Sequence, residues 1–578
     1  MSKTLKAVIL ELFTENGLDQ YDLNIQESSG IVTLSGRVDR WDQVVLAGHL
    51  AGGLSGVKSL INRVNSPDSI LPPDPVKPDP SSGTLTRADL VIIGAGVVGA
   101  ALAREFSRFK IRIVLLDKES DVGCGASKAN NGMVHSGIVQ EPNSLRSRLN
   151  VRGNELYEEV CRDLDVPFKR CGLLTVVFRE EDLFLLELTQ ARGEAAGIPV
   201  EVISRERALE LEPSLSPDIK GAFLAPSTAM TSPYKLTVAY AENAVMNGVN
   251  LYLDTAVTGF HSENGRLKKV YTTRGAVETP FCINAAGIYA DRVAAMAGKE
   301  EFTLHPRKGE LILFDSAHLD NHPRIATGVL AIGQDPYTKG GGTMITTEGN
   351  PEWGPTAFEV PDREDTAVTA DGLDRIIDKF SRLIPDYDPH KALITFFAGL
   401  RAATYTEDFH IRPSGQLNGL LNVAGIQSPG LAAVPAITEM VLDLAGDMGL
   451  KLEENPAFQP LRKSPPRFRA LNLKARKKLI GEDHRYGQIV CRCEQVTEGE
   501  VIAALNRPVP VTTLDAIKRR TRAGMGRCQG SFCLPRLALI MARELGVPIH
   551  KLTKSGPGSP LFSRPTKLEA LTGEGDAR

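Results

Sequence analysis

The stretch from Asp89 to Gly99, Asp-Leu-Val-Ile-Ile-Gly-Ala-Gly-Val-Val-Gly, constrains the fold more than any other part of the sequence. An apolar run ends at Gly94, which suits a tight turn. Gly96 lets backbone N–H groups approach a diphosphate, and Gly99 lets the following helix close on the strand. A second apolar strand ends at Asp117, whose carboxylate lies at the distance expected for accepting ribose hydroxyls. The pattern predicts a Rossmann-type domain that binds an adenine dinucleotide at a helix N-terminus.

The overall composition bounds the function. The chain has 578 residues, 42% of them hydrophobic, and a formal net charge of −3. It is long enough for several domains, and its charge gives no reason to expect nucleic-acid binding. No apolar run reaches membrane-spanning length, so we expect a cytoplasmic protein. Eight cysteines in so long a chain do not indicate a disulfide scaffold.

The first 65 residues predict a separate αβ module. A helical stretch from Leu5 to Glu15 precedes alternating strands, and a second helix begins at Trp41. The strand 31–38, Ile-Val-Thr-Leu-Ser-Gly-Arg-Val, and the late Gly56-Val57 strand resemble the BON domain. That resemblance implies docking to a protein or to a membrane surface, which would place the chain peripherally at the inner face of the cell membrane. A packing or oligomerisation module is the alternative.

The segment 123–137 is rich in Gly, Ser and Asn, so its backbone can lie close to a cofactor. It resembles the loop Asn-Ser-Gly-x-x-His-Ser/Ala-Gly of FAD-dependent oxidoreductases in the D-amino-acid oxidase and glycerol-3-phosphate dehydrogenase superfamily. Matching blocks follow in order at 283–291, 306–310, 398–401 and 423–431. The resemblance implies bound FAD and a substrate-capping domain. The predicted cofactor-binding residues are Gly94, Gly96, Gly99, Asp117, Lys118, Ser127, Asn131, Gly132, Ala286, Gly287, Gly425, Gly430 and Leu431.

Four cysteines close to the C-terminus form two closely spaced pairs, Cys491-x-Cys493 and Cys528-x4-Cys533. Such a set can supply the four thiolates of a [2Fe-2S] cluster, and zinc is the alternative metal. The surrounding sequence resembles the bacterioferritin-associated-ferredoxin-like [2Fe-2S] domain, which also ends the large subunit of anaerobic glycerol-3-phosphate dehydrogenases. We expect nearby cations to offset the negative charge of the cluster: Arg492, Lys518, Arg519, Arg520 and Arg527.

These patterns predict an α/β and α+β multidomain fold. It combines a Rossmann-type FAD-binding domain, a β-rich substrate-capping domain, a small αβ N-terminal module and a small helical C-terminal [2Fe-2S] module. The predicted divisions are 1–65 for the BON-like domain, 66–86 for a Pro-rich linker, 87–450 for the FAD-dependent oxidoreductase domain, 451–487 for a basic linker, 488–545 for the cluster domain and 546–578 for a flexible tail.

Oxidation of an alcohol needs a base near the flavin and cations for an anionic substrate. His135, in the predicted flavin loop, is the candidate base, and His305 is a weaker one. A loop histidine that only positions backbone is equally compatible. Arg401 and Arg307 are candidates for a guanidinium fork on phosphate or carboxylate, with structural ion pairs as the alternative.

A flavin takes a hydride and a cluster passes single electrons, which favours a dehydrogenase with a protein or quinone acceptor. Domain order resembles the large subunit of anaerobic glycerol-3-phosphate dehydrogenases, which implies oxidation of sn-glycerol 3-phosphate to dihydroxyacetone phosphate. The partner that it implies is a second flavoprotein reductase or quinone-linked subunit. Residues 406–409, Thr-Glu-Asp-Phe, depart from that pattern where an arginine is expected. L-2-hydroxyglutarate or another 2-hydroxy acid, an amine or imino acid, and an electron-relay role therefore stay open.

Overall fold

The computed structural model describes residues 4–70, 76–81, 83–138, 140–331 and 340–562. Part of the predicted Pro-rich linker and the tail from residue 563 lie outside these ranges. The predicted fold class is confirmed: mixed sheets and helices form a Rossmann-type domain with a β-rich cap, flanked by two small modules. None of the described helices is both long enough and apolar enough to cross a bilayer.

The N-terminal module is a three-stranded sheet with two helices packed on it. Strand order is β1-β2-β3, with β1 antiparallel and β3 parallel to β2. Alternate strand residues such as Val32 and Leu34 are buried beneath Ile9 and Phe13 of the first helix, as expected for a sheet with one covered face. Its elements are α1 (Leu5–Glu15), β1 (Asn24–Ser28), β2 (Ile31–Arg37), α2 (Trp41–Gly52) and β3 (Ser59–Asn65).

The central part of the chain builds the Rossmann-type domain and its cap. Its elements are β4 (Thr84–Arg87), β5 (Leu90–Ile93), α3 (Val97–Phe106), β6 (Ile113–Leu116), β7 (Met133–Val134), α4 (Leu145–Asp163), β8 (Phe168–Arg170), β9 (Leu173–Val177), α5 (Leu183–Ala196), β10 (Glu201–Ser204), α6 (Arg205–Leu211), β11 (Gly221–Ala225), β12 (Ala229–Thr231), α7 (Pro233–Met246), β13 (Asn250–Tyr252), β14 (Val257–Glu263), β15 (Arg266–Thr272), β16 (Gly275–Glu278), β17 (Cys282–Asn284), α8 (Ala290–Ala295), β18 (Leu304–Phe314), β19 (Ala326–Val329), β20 (Gly342–Ile345), β21 (Pro351–Gly354), β22 (Phe358–Glu359), α9 (Ala370–Leu383), α10 (Pro389–Ala392), β23 (Leu393–Thr404), β24 (His410–Pro413), β25 (Leu420–Ala424) and α11 (Gly430–Asp447).

The Rossmann-type sheet has the order β13-β6-β5-β17-β25-β24, parallel except for the edge strand β24. Strand β5 explains the unbroken apolar run in the sequence. Leu90 and Ile92 pack among helices α3, α7 and α11, while Val91 and Ile93 pack against the four-stranded sheet β14-β15-β16-β4. Both faces of the sheet are covered, so every residue of the strand is apolar.

The cap is a nine-stranded sheet in which β18 and β23 form its longest antiparallel pair. Helix α9 covers it through Ile376, Phe380 and Leu383, which pack around the fully buried Trp353. In the register of β18 and β23, Arg307 lies opposite Arg401 and Gly309 opposite Gly399. This pair of strands therefore carries both predicted anion-binding arginines.

The C-terminal module follows a segment that the sequence marked as a basic linker. Two of its arginines are in fact paired within the chain: Arg462 with Glu242 at 2.6 Å, and Arg467 with Glu348. Beyond the predicted module, residues to 562 also pack on it, since Leu552 is buried and Lys554 pairs with Asp515 at 2.9 Å. Helix α12 (Leu473–Glu482) lies within the predicted linker, and the elements of the module are β26 (Ile489–Cys491), β27 (Val496–Thr497), α13 (Glu498–Leu505), α14 (Leu514–Thr521) and α15 (Leu534–Leu545).

Candidate active site

A cavity of about 1520 Å³ lies between the Rossmann-type sheet, the cap sheet and the C-terminal module. It is larger than the 300–1,000 Å³ of typical small-molecule sites, as a dinucleotide together with a substrate requires. Most of the predicted site residues line it: Gly94, Gly96, Asp117, Lys118, Ser127, Asn131, His135, Ala286, Gly287, Arg401, Gly425, Gly430 and Leu431. Gly99, Gly132 and Arg307 do not.

The glycines at the start of α3 shape one end of the cavity. Gly94 has φ +98°, a conformation that favours glycine. A Cβ on Gly99 would lie 1.8 Å from the carbonyl oxygen of Gly94, so this glycine sets the packing of helix on strand. The Val97 N–H donates to Ser127 Oγ at 2.9 Å. The cradle at the helix N-terminus fits the diphosphate of FAD, because Gly96 lines the cavity there and a side chain at this position would fill it.

Asp117 closes the same end of the cavity. Its carboxylate accepts from the backbone N–H of Ala95 at 2.6 Å and of Glu119 at 2.9 Å. A carboxylate has further lone pairs for ribose hydroxyls. Burial raises the pKa of Asp117 to about 6. The adjacent Lys118 pairs with Glu119 at 2.9 Å, and its ammonium lies 4.8 Å from the ring centroid of Tyr289.

Side chains of α4 hold the loop that carries Asn131 and His135 through hydrogen bonds to its backbone. Asn150 and Asn154 of α4 both donate to the carbonyl oxygen of His135 at 3.0 Å. A Cβ on Gly132 would lie 2.2 Å from the carbonyl oxygen of Thr231, so this glycine packs the loop rather than lining the cavity. The half-buried imidazole of His135 lies at the cavity wall.

Arg401 reaches the cavity from β23. Its guanidinium donates to two backbone carbonyls, of Thr356 at 3.2 Å and of Arg307 at 3.5 Å. Among the described residues no carboxylate forms a salt bridge with it. Burial, with the neighbouring Arg307 charge, lowers the pKa of Arg401 to about 10, so the group is cationic at neutral pH. A buried cation with carbonyl partners alone is suited to a substrate anion.

Arg307 occupies a different environment. Its side chain is 1% exposed and pairs with Glu407 at 2.6 Å and with Glu359. It also donates to Gln427 Oε1 at 3.1 Å and lies 3.3 Å from Nε2 of His49 on α2 of the N-terminal module. We refer to these residues, together with His305, as the interface cluster. Two carboxylates already neutralise Arg307, which agrees with the alternative of a structural ion pair rather than a substrate ligand.

His305, the weaker candidate base, also belongs to the interface cluster. It is fully buried, stacks on Tyr405 with ring centroids 4.4 Å apart, and is absent from the cavity lining. Tyr405 in turn contacts α2, where a Cβ on Gly48 would meet its ring at 2.3 Å. The segment 405–409 therefore contributes, through Tyr405, to the contact surface for the N-terminal module.

The departure at Thr406 to Phe409 has a structural explanation. Glu407, at φ +55°, holds Arg307 as described. Asp408 accepts from the backbone N–H of Leu145 and Arg146, each at 2.8 Å, and so satisfies the first turn of α4. Arg146 lines the cavity and was not singled out from the sequence.

Glu352 is a second residue that sequence reasoning missed. It lies in β21, is 3% exposed and lines the cavity. Its Oε1 has no hydrogen-bond partner, and burial alone raises the pKa of Glu352 to about 8. The sequence feature that could have drawn attention to Glu352 is its position as the one carboxylate of a short strand, between Pro351 and Trp353.

The four cysteines of the C-terminal module meet as two pairs. Cys491 and Cys533, both buried, lie close enough for each thiol to shift the pKa of the other, and so do Cys493 and Cys528 nearer the surface. Within the described chain, the four thiols do not form a group of sulfurs all within 4.8 Å of one another. A tetrahedral zinc site, with Zn–S about 2.3 Å, would bring all four sulfurs to about 3.8 Å. Two separate pairs instead suit two iron atoms with two thiolates each.

The family comparisons agree with this geometry. Residues 89–444 match the FAD dependent oxidoreductase family, residues 489–543 the BFD-like [2Fe-2S] binding domain, and residues 2–66 the BON domain.

Individual relatives extend the comparison. A glycerol 3-phosphate dehydrogenase of Caloramator mitchellensis is 39% identical over 83% of this chain and 99% of its own length. One subunit of the anaerobic glycerol-3-phosphate dehydrogenase of Escherichia coli K12 is 26% identical over 79% of this chain and 88% of its own. The FAD-bound L-alpha-glycerophosphate oxidase of Mycoplasma pneumoniae superposes with a TM-score of 0.62 at 28% identity, covering 66% of this chain and 99% of that one. The chain belongs to the FAD-dependent oxidoreductase family, as a dehydrogenase that binds FAD and a [2Fe-2S] cluster.

Proposed function

We propose that the protein oxidises sn-glycerol 3-phosphate to dihydroxyacetone phosphate and passes the electrons through its [2Fe-2S] cluster to an external acceptor. The observation that carries this proposal is Arg401, a cavity cation whose described partners are carbonyl oxygens. The names of the relatives support the same substrate: a glycerol 3-phosphate dehydrogenase and glycerol 3-phosphate oxidases.

The proposed roles divide between the ends of the cavity. Bound FAD supplies a two-electron hydride acceptor. Arg401 binds the phosphate of the substrate and sets the position of its hydroxyl-bearing carbon. His135 takes the hydroxyl proton on a ring nitrogen. The N-terminus of α11 lines the cavity at Leu431, and its backbone N–H groups would stabilise negative charge on the cofactor there; the N–H of Gly430 itself donates to the carbonyl oxygen of Gln427.

The cysteine pairs supply the exit for electrons in this proposal. Cys491, Cys493, Cys528 and Cys533 ligate the cluster, and Met525 and Gln529 of the same module line the flavin cavity. Cys493 is exposed, and so is Phe532, at 85% of its surface. An exposed aromatic side chain beside the cluster suits a docking site for a protein acceptor. At the inner face of the cell membrane, a second flavoprotein or a quinone-linked subunit fits this role, since a relative is itself named as one subunit of an enzyme.

The test is an anaerobic spectral titration of the purified holoenzyme. Glycerol 3-phosphate should bleach the flavin band and then reduce the cluster, whereas glycerol, which lacks the phosphate, should do neither at the same concentration. L-2-hydroxyglutarate and L-proline are the competing substrates. Bleaching by either of these in place of glycerol 3-phosphate would overturn the proposed substrate, and no bleaching by any of them would indicate an electron-relay role.

A further inference from the structure

One wall of the flavin cavity is formed by the C-terminal module. Four residues of α14 and its C-cap line the cavity at helical spacing, i, i+3, i+4 and i+7, and so share one face. They are Asp515, Lys518, Arg519 and Arg522. The sequence suggested that cations of this segment offset the charge of the cluster. The structure turns this face toward the cofactor cavity instead.

Three of the four side chains have charged partners. Arg519 donates to Asp121 at 2.6 Å, Arg522 to Glu494 at 2.7 Å, and Asp515 accepts from Lys554 at 2.9 Å.

Lys518 differs from them. In the described part of the chain its ammonium has neither a salt bridge nor a hydrogen bond, although the side chain is largely enclosed. Burial lowers the pKa of Lys518, although the charge of Asp515 one turn earlier in the helix acts in the opposite direction.

The neighbour of Lys518 in the sequence, Arg519, lies near the expected phosphates. Arg519 also contacts Cys124 Sγ at 3.6 Å. Cys124 precedes Ser127, the residue that binds the first N–H of α3 at the diphosphate cradle. Nε of Arg519 is buried without an acceptor. Arg519, the residue next to Lys518, therefore lies at the same end of the cavity as the N-terminus of α3, and Lys518 lines the cavity beside it.

We propose that Lys518, supported by Arg519, is a phosphate-binding residue that the cluster module contributes to the flavin cavity. The phosphate belongs either to the diphosphate of FAD, which the position near Cys124 favours, or to the substrate. The second source rests on the proposed function, and the first does not.

The test uses Lys518→Met and Lys518→Gln, which remove the charge, and Lys518→Arg, which retains it. Lys551→Met, at an exposed position of the same module, is the matched control for loss of one positive charge. Two constants are measured: the Kd for FAD by recovery of flavin fluorescence after dilution, and the KM for glycerol 3-phosphate at saturating FAD. The visible spectrum of the cluster reports that the module is folded.

Loss of the charge should raise one of the two constants about tenfold, because a hydrogen bond to a charged group contributes about 1.5–3 kcal/mol. A higher Kd for FAD with KM unchanged assigns Lys518 to the diphosphate, and a higher KM with Kd unchanged assigns it to the substrate. Lys518→Arg should stay within about threefold of the wild type, as should Lys551→Met. If both neutral variants keep an intact cluster spectrum and both constants within about twofold, Lys518 is not a phosphate ligand.

Discussion

The flavin cavity and the interface cluster contain the same residue types in opposite electrostatic settings. The cavity holds Arg401 and Glu352, neither of which forms a salt bridge within the described residues. The interface cluster holds Arg307 between Glu359 and Glu407. Arg307 and Arg401 even lie opposite each other in the register of β18 and β23. A charge that is already paired stabilises a contact between modules, whereas the Arg401 cation, which has no carboxylate partner among the described residues, is available to an anionic ligand.

The largest expected effect is on kcat/KM and distinguishes Arg401 from Arg307. Arg401→Met should lower kcat/KM for glycerol 3-phosphate by about 100-fold or more, because removing one partner of a buried charge pair costs about 2–5 kcal/mol. Steady-state kinetics with an artificial acceptor measures this, with flavin content per chain as the control. A variant that retains more than about a tenth of wild-type kcat/KM would remove Arg401 from the proposed site.

Arg307→Met should instead destabilise the protein. It removes the buried cation that the partly buried Glu359 and Glu407 share, and breaking such a pair costs up to about 3–5 kcal/mol. The thermal unfolding midpoint should therefore fall while kcat/KM of the folded fraction stays within several-fold. The double variant Arg307→Met/Glu407→Gln should recover part of the midpoint, because among the described arginines Glu407 would otherwise keep only the longer salt bridge to Arg146 at 3.4 Å. A normal midpoint together with lost activity would reverse the assignment of the two arginines.

A further expected effect concerns Glu352 and is confined to the dependence of stability on pH. Its pKa is raised to about 8 in the folded protein, so the folded state holds a proton that the unfolded chain releases near pH 4.5. Stability should therefore fall as the pH rises from about 5 to about 8, by at most about 4 kcal/mol. Glu352→Gln should remove this slope from the unfolding midpoint. Asp374→Asn, at an exposed position of the cap, should leave the slope unchanged, and an unchanged slope in Glu352→Gln would show that Glu352 titrates normally.

The sequence predicted the parts of the site that depend on local backbone geometry. Gly94, Gly96 and Asp117 meet at one end of the cavity because their spacing follows from a strand, a turn and a helix. It could not distinguish Arg307 from Arg401, since the difference lies in partners 52 and 100 residues away from Arg307. Helical periodicity also could not show that Lys518 faces the cavity. The direction of this face depends on how the C-terminal module packs on the Rossmann-type domain, where Arg519 and Arg520 bind Asp121.

The seating of α14 has a consequence for how the enzyme matures. The helix belongs to a module with a small core around Cys491 and Cys533, and metal binding of this kind is coupled to folding. The same helix forms a wall of the flavin cavity. We therefore expect cluster insertion and flavin retention to be linked, so that protein produced under iron starvation loses its flavin more readily as well as its path for electron transfer.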